Sequence, residues 1–236
     1  MNLAFPVKRI TVNLSPADLF KEGSHYDLPI ALGLLILIGA INQKDVDRFV
    51  VMGELSLDGS ITSVSGVLPA AVNAYHRNHG LICPSSNGPE AAIVDNLEII
   101  APSHLVELID YLKFGTQIKF PQKQKNLQNQ FIPDLKDVKG QYVAKRALEI
   151  AAAGGHNLLM IGPPGTGKSM LAKRLIGLLP DLSHEEMMEI NVIASVYRKF
   201  YNECSNVRPF REPHNSCSVA AMVGGGRDVN PGEITL

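Results

Sequence analysis

The 236-residue sequence predicts an α+β domain followed by the opening part of an α/β domain. Three observations predict this. Short apolar runs alternate with helical patterns over residues 1–115, with a hairpin signal at Asp58-Gly59. Residues 116–133, TQIKFPQKQKNLQNQFIP, lose apolar periodicity and are dominated by Gln, Asn and Lys, a linker composition. From 134 to 236, an apolar run leads into a glycine-rich loop and then a helix, the strand–loop–helix order of an α/β unit.

Each element has a local reason. Lys8–Leu14 alternates and reads as a short strand, and Ser15–Gly23 as a turn-rich loop. Asp27 stands where it can cap the apolar helix Leu28–Ala40. Phe49–Leu57 is a strand that returns through Asp58-Gly59 to Ser60–Val64. Val67–Arg77 is an alanine-rich amphipathic helix, Leu81–Pro84 a strand, Pro89–Val94 a helical turn and Leu97–Ala101 a strand. Ser103 starts, and Gly115 stops, a helix ending at Phe114. In the second domain Asp134–Gln141 precedes the amphipathic helix Tyr142–Ala153, which Gly154-Gly155 ends. Leu158–Ile161 reads as a buried strand, and Met170–Leu179 as an amphipathic helix with Pro180 just beyond. Ser183–Ile193 is a capped helix with Glu185 and Glu186 in its first turn. From Tyr201 onward the pattern is irregular.

Composition narrows the class. An apolar content of 45% with 19% charged residues suits globular cores. A net charge of −1 gives no bulk attraction for nucleic acid, so any such contact needs a local patch. The apolar run Leu28–Ile41 is shorter than the roughly 20 residues of a membrane span and contains Pro29 and Gly33. Cys83, Cys204 and Cys217 are scattered without a Cys-x-x-Cys pair, and no targeting sequence is evident. The expectation is a soluble, cytoplasmic protein without a membrane partner.

The chemistry is concentrated in Gly162-Pro163-Pro164-Gly165-Thr166-Gly167-Lys168-Ser169, the spacing G-x-x-x-x-G-K-[ST] of a phosphate-binding loop. Phosphates need several backbone N–H groups aimed at one point, and glycines let the chain curl that tightly. Lys168 is expected to reach the β- and γ-phosphates and the Ser169 hydroxyl to ligate Mg²⁺, with Met170 beside them at the start of the helix. ATP and Mg²⁺ are the expected cofactors. Val138 and Gln141 stand either beside an adenine ring or simply in a helix-entry loop. Arg208, Arg211 and His214 form either a DNA or neighbour contact or a solvated cluster bracing its own loop. Gly224–Gly226 is either a close-approach loop or a hinge, and Lys8, Arg9 and Lys21 are either a basic face or a solvated surface. His214 with Cys204 and Cys217 fits no standard zinc spacing.

These residues carry a resemblance. RPFREPHNSCS, MVGGG and PGEITL resemble the magnesium-chelatase-like AAA+ ATPases. KRITVNLSPADLFKEGSHYDLPIALGLL and VMGELSLDGSITSVSGVLPAA resemble the ComM (YifB) family, in which a Lon-protease-like domain, of the ribosomal S5 domain 2-like fold, precedes the ATPase domain. The resemblance implies a hexameric, DNA-binding motor of competence-related branch migration, driven by ATP. It also places Asp27 and Leu68 where a Lon-type peptidase would carry its nucleophile and base, with Ser24 three residues too early. Without hydroxyl and amine there is no acyl-transfer route, so peptidase activity is not expected. The rival readings are a magnesium-chelatase-type ATPase subunit and a non-catalytic oligomerisation fragment.

No apolar strand ending in Asp-Glu follows Ser169, and Glu185, Glu186 and Glu189 fall on a helix. Relative to the resembled family, that strand, the sensors and the arginine finger lie beyond residue 236, and the earliest strands of the first domain lie before residue 1. The expectation is therefore a middle segment with no complete catalytic set, a sheet without its central strands and a partly exposed core. The chain alone is not expected to hydrolyse ATP.

Overall fold

A computed structural model of the protein describes residues 9–14, 24–122, 132–197, 206–225 and 230–235. The fold is mixed α/β, in two compact units: Met1–Gln124 with Ala194–Asn202, and Lys125–Ile193 with Glu203–Leu236.

Unit 1 is built on a parallel sheet. Strands β1 (Phe49–Val51), β4 (Gly80–Ile82) and β5 (Ile99–Ile100) lie side by side, with Phe49 opposite Gly80, Leu81 opposite Val50 and Ile99, and Ile82 opposite Val51 and Ile100. Parallel neighbours need crossover connections, and helices α3 (Val67–His76) and α4 (Gly88–Ala91) supply them. Among the described residues of this unit, the sequence-based reading of hairpins and helices therefore holds for one hairpin, strands β2 (Glu54–Leu55) and β3 (Ile61–Thr62) joined across Asp58-Gly59.

Alternation of side chains along these strands feeds two cores. Phe49, Ile82 and Ile100 pack with helices α1 (Asp27–Leu37) and α5 (Leu105–Phe114) through Leu28, Leu32, Leu35, Leu108 and Ile109. Leu81 and Ile99 pack on the other side with α3 and α4 through Val67, Ala71, Ala74 and Ala91. Helices thus cover both faces, as buried parallel strands require. Gly80 is dictated by this packing, because a Cβ there would lie 2.5 Å from the Phe49 ring. A short helix α2 (Gln43–Val46) precedes β1.

Several expectations in this unit change. Tyr26, and not Asp27, is the cap position of α1, and Asp27 is its first helical residue without a capping bond. A carboxylate there still faces the positive end of the helix. His104 caps α5 in place of Ser103: its Nδ1 accepts from the Val106 N–H, while Ser103 N–H and Oγ both donate to the Glu107 carboxylate. Gly115 closes that helix in the left-handed region, as expected. Residues 9–14 carry no strand and lie along α1, where no ladder partner is available among the described residues. Lys8, Lys21 and the loop 15–23 lie outside the described residues.

A buried polar cluster joins distant parts of unit 1. The Glu90 side chain, in a residue only 3% exposed, accepts from Leu68 N–H at 3.1 Å, Ser195 Oγ at 2.5 Å and Asn87 Nδ2 at 2.9 Å. Asn87 is itself fixed by Val64, accepting from its N–H and donating to its carbonyl. Beside it, burial, with the Glu90 carboxylate adding to the effect, pushes the Cys83 thiol up to about 12. Thiolate is the reactive form. Cys83 is therefore expected to resist iodoacetamide at pH 8 in the folded protein while half-buried Cys217 is alkylated; peptide mass mapping checks this. Rapid labelling of Cys83 would contradict its burial.

Unit 2 has a small core of Leu135, Val138, Leu148 and Leu171, flanked by Ala144, Met160, Leu175 and Leu178. Helix α6 (Tyr142–Gly154) closes at left-handed Gly155, in agreement with the sequence. Leu158–Ile161 is not a strand. No strand pairs with it among the described residues, and Leu159 and Ile161 are 82% and 88% exposed. An apolar run becomes strand only where a neighbour satisfies its backbone. The helix expected over Met170–Leu179 is also divided, into α7 (Lys168–Lys173) and a 3₁₀ turn at Ile176–Leu178. Gly177 weakens the helix there and packs closely on Ile132.

Helix α8 (His184–Val196) starts with a reciprocal cap, Glu186 N–H donating to Ser183 Oγ and Ser183 N–H to the Glu186 carboxylate. Helix α9 (Val219–Val223) leads into β6 (Gly224–Gly225), which pairs antiparallel with β7 (Asn230–Pro231). Gly224-Gly225 is therefore part of a ladder. Gly226 lies outside the described residues, as do 123–131 of the expected linker. No helix among the described residues is long and apolar enough to cross a membrane.

Candidate phosphate-binding site

Residues 162–167 form the bend between the exposed run Leu158–Ile161 and helix α7. Gly165 and Gly167 have φ of 80° and 85°, where a side chain would be strained. Thr166 lies between them, and its hydroxyl donates to the Pro163 carbonyl at 3.0 Å. Lys168, the first residue of α7, folds its ammonium back over the loop. Nζ donates to the Gly162 and Pro163 carbonyls at 2.8 Å each and to Thr166 Oγ1 at 3.3 Å. Among the described residues it pairs with no carboxylate, so its charge is left for an external anion.

The loop borders a cavity of about 510 Å³. Ala144, Ala147 and Leu158 supply an apolar wall, and Thr166, Lys168 and Gln141 the polar edge. The Gln141 side chain also donates from Nε2 to the Thr166 carbonyl at 3.4 Å. Val138 does not line the cavity. It is buried in the core below, and its carbonyl accepts a hydrogen bond from Lys145 Nζ. Pro164 and Ser169 are exposed. Met170 is also exposed, and its carbonyl accepts from Arg174.

These residues fit a magnesium-bound triphosphate. Two left-handed glycines allow the backbone N–H groups of the loop to converge, an ammonium without a carboxylate partner among the described residues lies inside the bend, and the exposed Ser169 follows. No group of three or more His, Cys, Asp or Glu among the described residues has the arrangement of a metal centre.

The arginine-rich stretch braces its own unit. Arg208 donates from Nη2 to both Glu186 carboxylate oxygens and from Nε to the Pro180 carbonyl. Arg211 pairs with Glu233 at 2.7 Å, and Lys173 of α7 with Glu212 at 2.7 Å. His214 contacts Ser216 Oγ at 2.7 Å and accepts from the Ser216 N–H. The Ser183 N–H, then the Arg208 guanidinium, hold Glu186 below its ordinary value of 4.5. A lowered folded value stabilises above the ordinary one and is lost as pH falls through the folded one. Acidification below pH 4.5 is thus expected to fray the start of α8. Amide shifts of Ser183 and Glu186 that stay unchanged through that range would contradict the cap.

In the first unit the positions matched to a peptidase dyad hold no such chemistry. Leu68 is fully buried, and Asp27 opens α1. Ser24 Oγ donates to Glu54 Oε2 at 2.5 Å. Sequence reasoning missed the Glu90–Asn87–Ser195 cluster. The spacing of Asn87 and Glu90 was visible, but Ser195 lies 105 positions away from Glu90.

Comparison with known proteins gives two family matches, "Magnesium chelatase, subunit ChlI" over residues 134–236 and "Subunit ChlI of Mg-chelatase" over residues 1–87. The uncharacterized protein YifB of Escherichia coli is 43% identical over 98% of this chain and 46% of its own length. The competence protein ComM of Haemophilus influenzae is 42% identical over 98% and 47%. The uncharacterized protein Rv2897c of Mycobacterium tuberculosis is 39% identical over 98% and 47%. The chain spans about half the length of these curated relatives.

Proposed function

This chain belongs to the magnesium-chelatase-like family that includes YifB and ComM, and on that premise we propose that it binds Mg²⁺-ATP at Gly162–Ser169 as part of a DNA-processing AAA+ motor. The observation that carries the nucleotide reading is the Lys168 ammonium, seated between two loop carbonyls and left without a carboxylate among the described residues. Lys168 binds the β- and γ-phosphates, the backbone of Gly165–Lys168 cradles them, and Ser169 holds the Mg²⁺. Met170 follows at the start of α7, and the cavity wall beside Gln141 would receive the base, with Val138 buried in the core and off that wall. The bound nucleotide supplies the free energy of phosphoryl transfer. The protein's own residues bind and orient it.

The first unit serves as a Lon-like platform without peptidase chemistry, and the assembly is a hexamer of full-length subunits. Support for a DNA substrate comes from the competence protein among the relatives. A magnesium-chelatase-type role is the second reading, favoured by the descriptions of both matched families. Calorimetric titration of the chain with Mg²⁺-ATP, then with single-stranded DNA and separately a porphyrin, distinguishes them. One-to-one ATP binding coupled to DNA supports the first reading. Binding coupled to porphyrin alone supports the second, and no ATP binding contradicts both.

A further inference from the structure

Thr166 is the softest point of the loop. It lies between two left-handed glycines, so the peptides on either side of it meet little resistance to rotation. Its hydroxyl is fastened within the loop, to Pro163 and Lys168. Its carbonyl is fastened from outside, by the side chain of Gln141. A peptide is planar and trans, so fixing the Thr166 carbonyl also fixes the direction of the Gly167 N–H on the opposite side of the same plane. That N–H is one of the backbone donors available to an anion in the bend.

Gln141 is itself held in an unusual state. Its φ of 54° and ψ of 38° place a non-glycine residue in the left-handed region, directly after Gly140 with φ of 66°. Its carbonyl already accepts the Lys145 N–H at the start of α6. Two consecutive left-handed residues turn the chain so that the side chain projects across to the loop, which an ordinary helix entry does not require. Such strain is retained where surrounding contacts use it.

We propose that Gln141 is a positioning residue of the phosphate loop: its amide holds the Thr166–Gly167 peptide in the orientation that presents the Gly167 N–H. This differs from a contact to the nucleotide base. A base contact acts on ATP alone, whereas a peptide tether acts on any polyphosphate and on the free protein. The ligand half of the inference rests on the nucleotide reading above.

The experiment has two arms. In the nucleotide-free chain, relaxation dispersion of the Gly167 amide is compared between wild type and Gln141→Met, which keeps side-chain length and removes the donor. A flat profile in wild type and microsecond-to-millisecond exchange in the variant is expected; flat profiles in both overturn the tether. In the second arm, Mg²⁺-ATP and tripolyphosphate are titrated into wild type, Gln141→Met and Gln141→Gly. Both ligands are expected to weaken by a similar factor, about 2- to 12-fold, the worth of one hydrogen bond. Gln141→Gly should weaken them likewise while raising the melting temperature, because it also removes the left-handed strain. Loss confined to ATP would overturn the proposal in favour of a base contact. If wild type binds neither ligand, the nucleotide reading fails, and the dispersion arm still decides the tether.

Discussion

Replacing Lys168 with alanine weakens Mg²⁺-ATP binding about 10- to 150-fold, the equivalent of losing about 1.5–3 kcal/mol of charge-assisted hydrogen bonding. The ammonium is the only cation that contacts the bend among the described residues, through Gly162, Pro163 and Thr166. Its removal leaves the carbonyls of Gly162 and Pro163 facing water, because both residues are exposed. Stability is therefore expected to change by less than about 1 kcal/mol. Calorimetry with circular dichroism as a folding control separates the two effects. Unaltered affinity in a folded variant would place the nucleotide elsewhere.

The largest stability effect is expected in the other unit. Glu90→Ala strips the acceptor from Leu68 N–H, Ser195 Oγ and Asn87 Nδ2 in a buried site and leaves a void behind. Such a loss costs about 3–5 kcal/mol. Glu90→Gln is much milder, by an argument from donors and acceptors. Asn87 cannot turn over, because Val64 uses both ends of its amide. The glutamine oxygen must therefore face Asn87 and its nitrogen the Ser195 side. There the hydroxyl rotates to accept, but the amide nitrogen replaces the oxygen that Leu68 N–H donates to at 3.1 Å, so two donors face each other and that N–H keeps only its longer 3.3 Å bond to Ser195 Oγ. The expected cost is about 1–2 kcal/mol, below that of the alanine variant. Urea unfolding of both variants checks the order; equal costs for Ala and Gln would mean that the second carboxylate oxygen, and not the volume it fills, decides the site.

What the sequence made legible follows from the range of each interaction. The hairpin at Asp58-Gly59, the stop at Gly115, the cap at Ser183 and the close of α6 at Gly155 depend on residues within a few positions of one another, and all are found. The runs of the unit 1 sheet read as strands in the sequence but carry no sign of parallel pairing, because direction is set by where the chain returns, not by the run itself. Leu158–Ile161 shows the opposite error. Its composition suits a buried strand, but strand formation requires a partner, and none lies beside it among the described residues.

The site divides in the same way. Gly165, Gly167 and Lys168 were identifiable because a phosphate loop is a local device, and the two glycines adopt the left-handed backbone that makes them necessary. The bond from Gln141 to Thr166 crosses 25 positions and has no motif. Arg208 and Arg211 offered two uses in the sequence. Their geometry favours bracing, since Glu186 and Glu233 already engage both guanidinium groups. Arg208→Ala should loosen the start of α8 more than it alters any ligand affinity.

The central claim is that nucleotide binds at this loop. The most direct measurement is a ¹⁵N–¹H spectrum of the unaltered chain titrated with Mg²⁺-ATP. Saturable movement of the Gly165, Thr166, Gly167, Lys168 and Ser169 amides, with little change in the β1–β4–β5 sheet, is the predicted result. Saturable binding that moves other amides and leaves these five in place would contradict the assignment, as would a spectrum that ATP does not change at all.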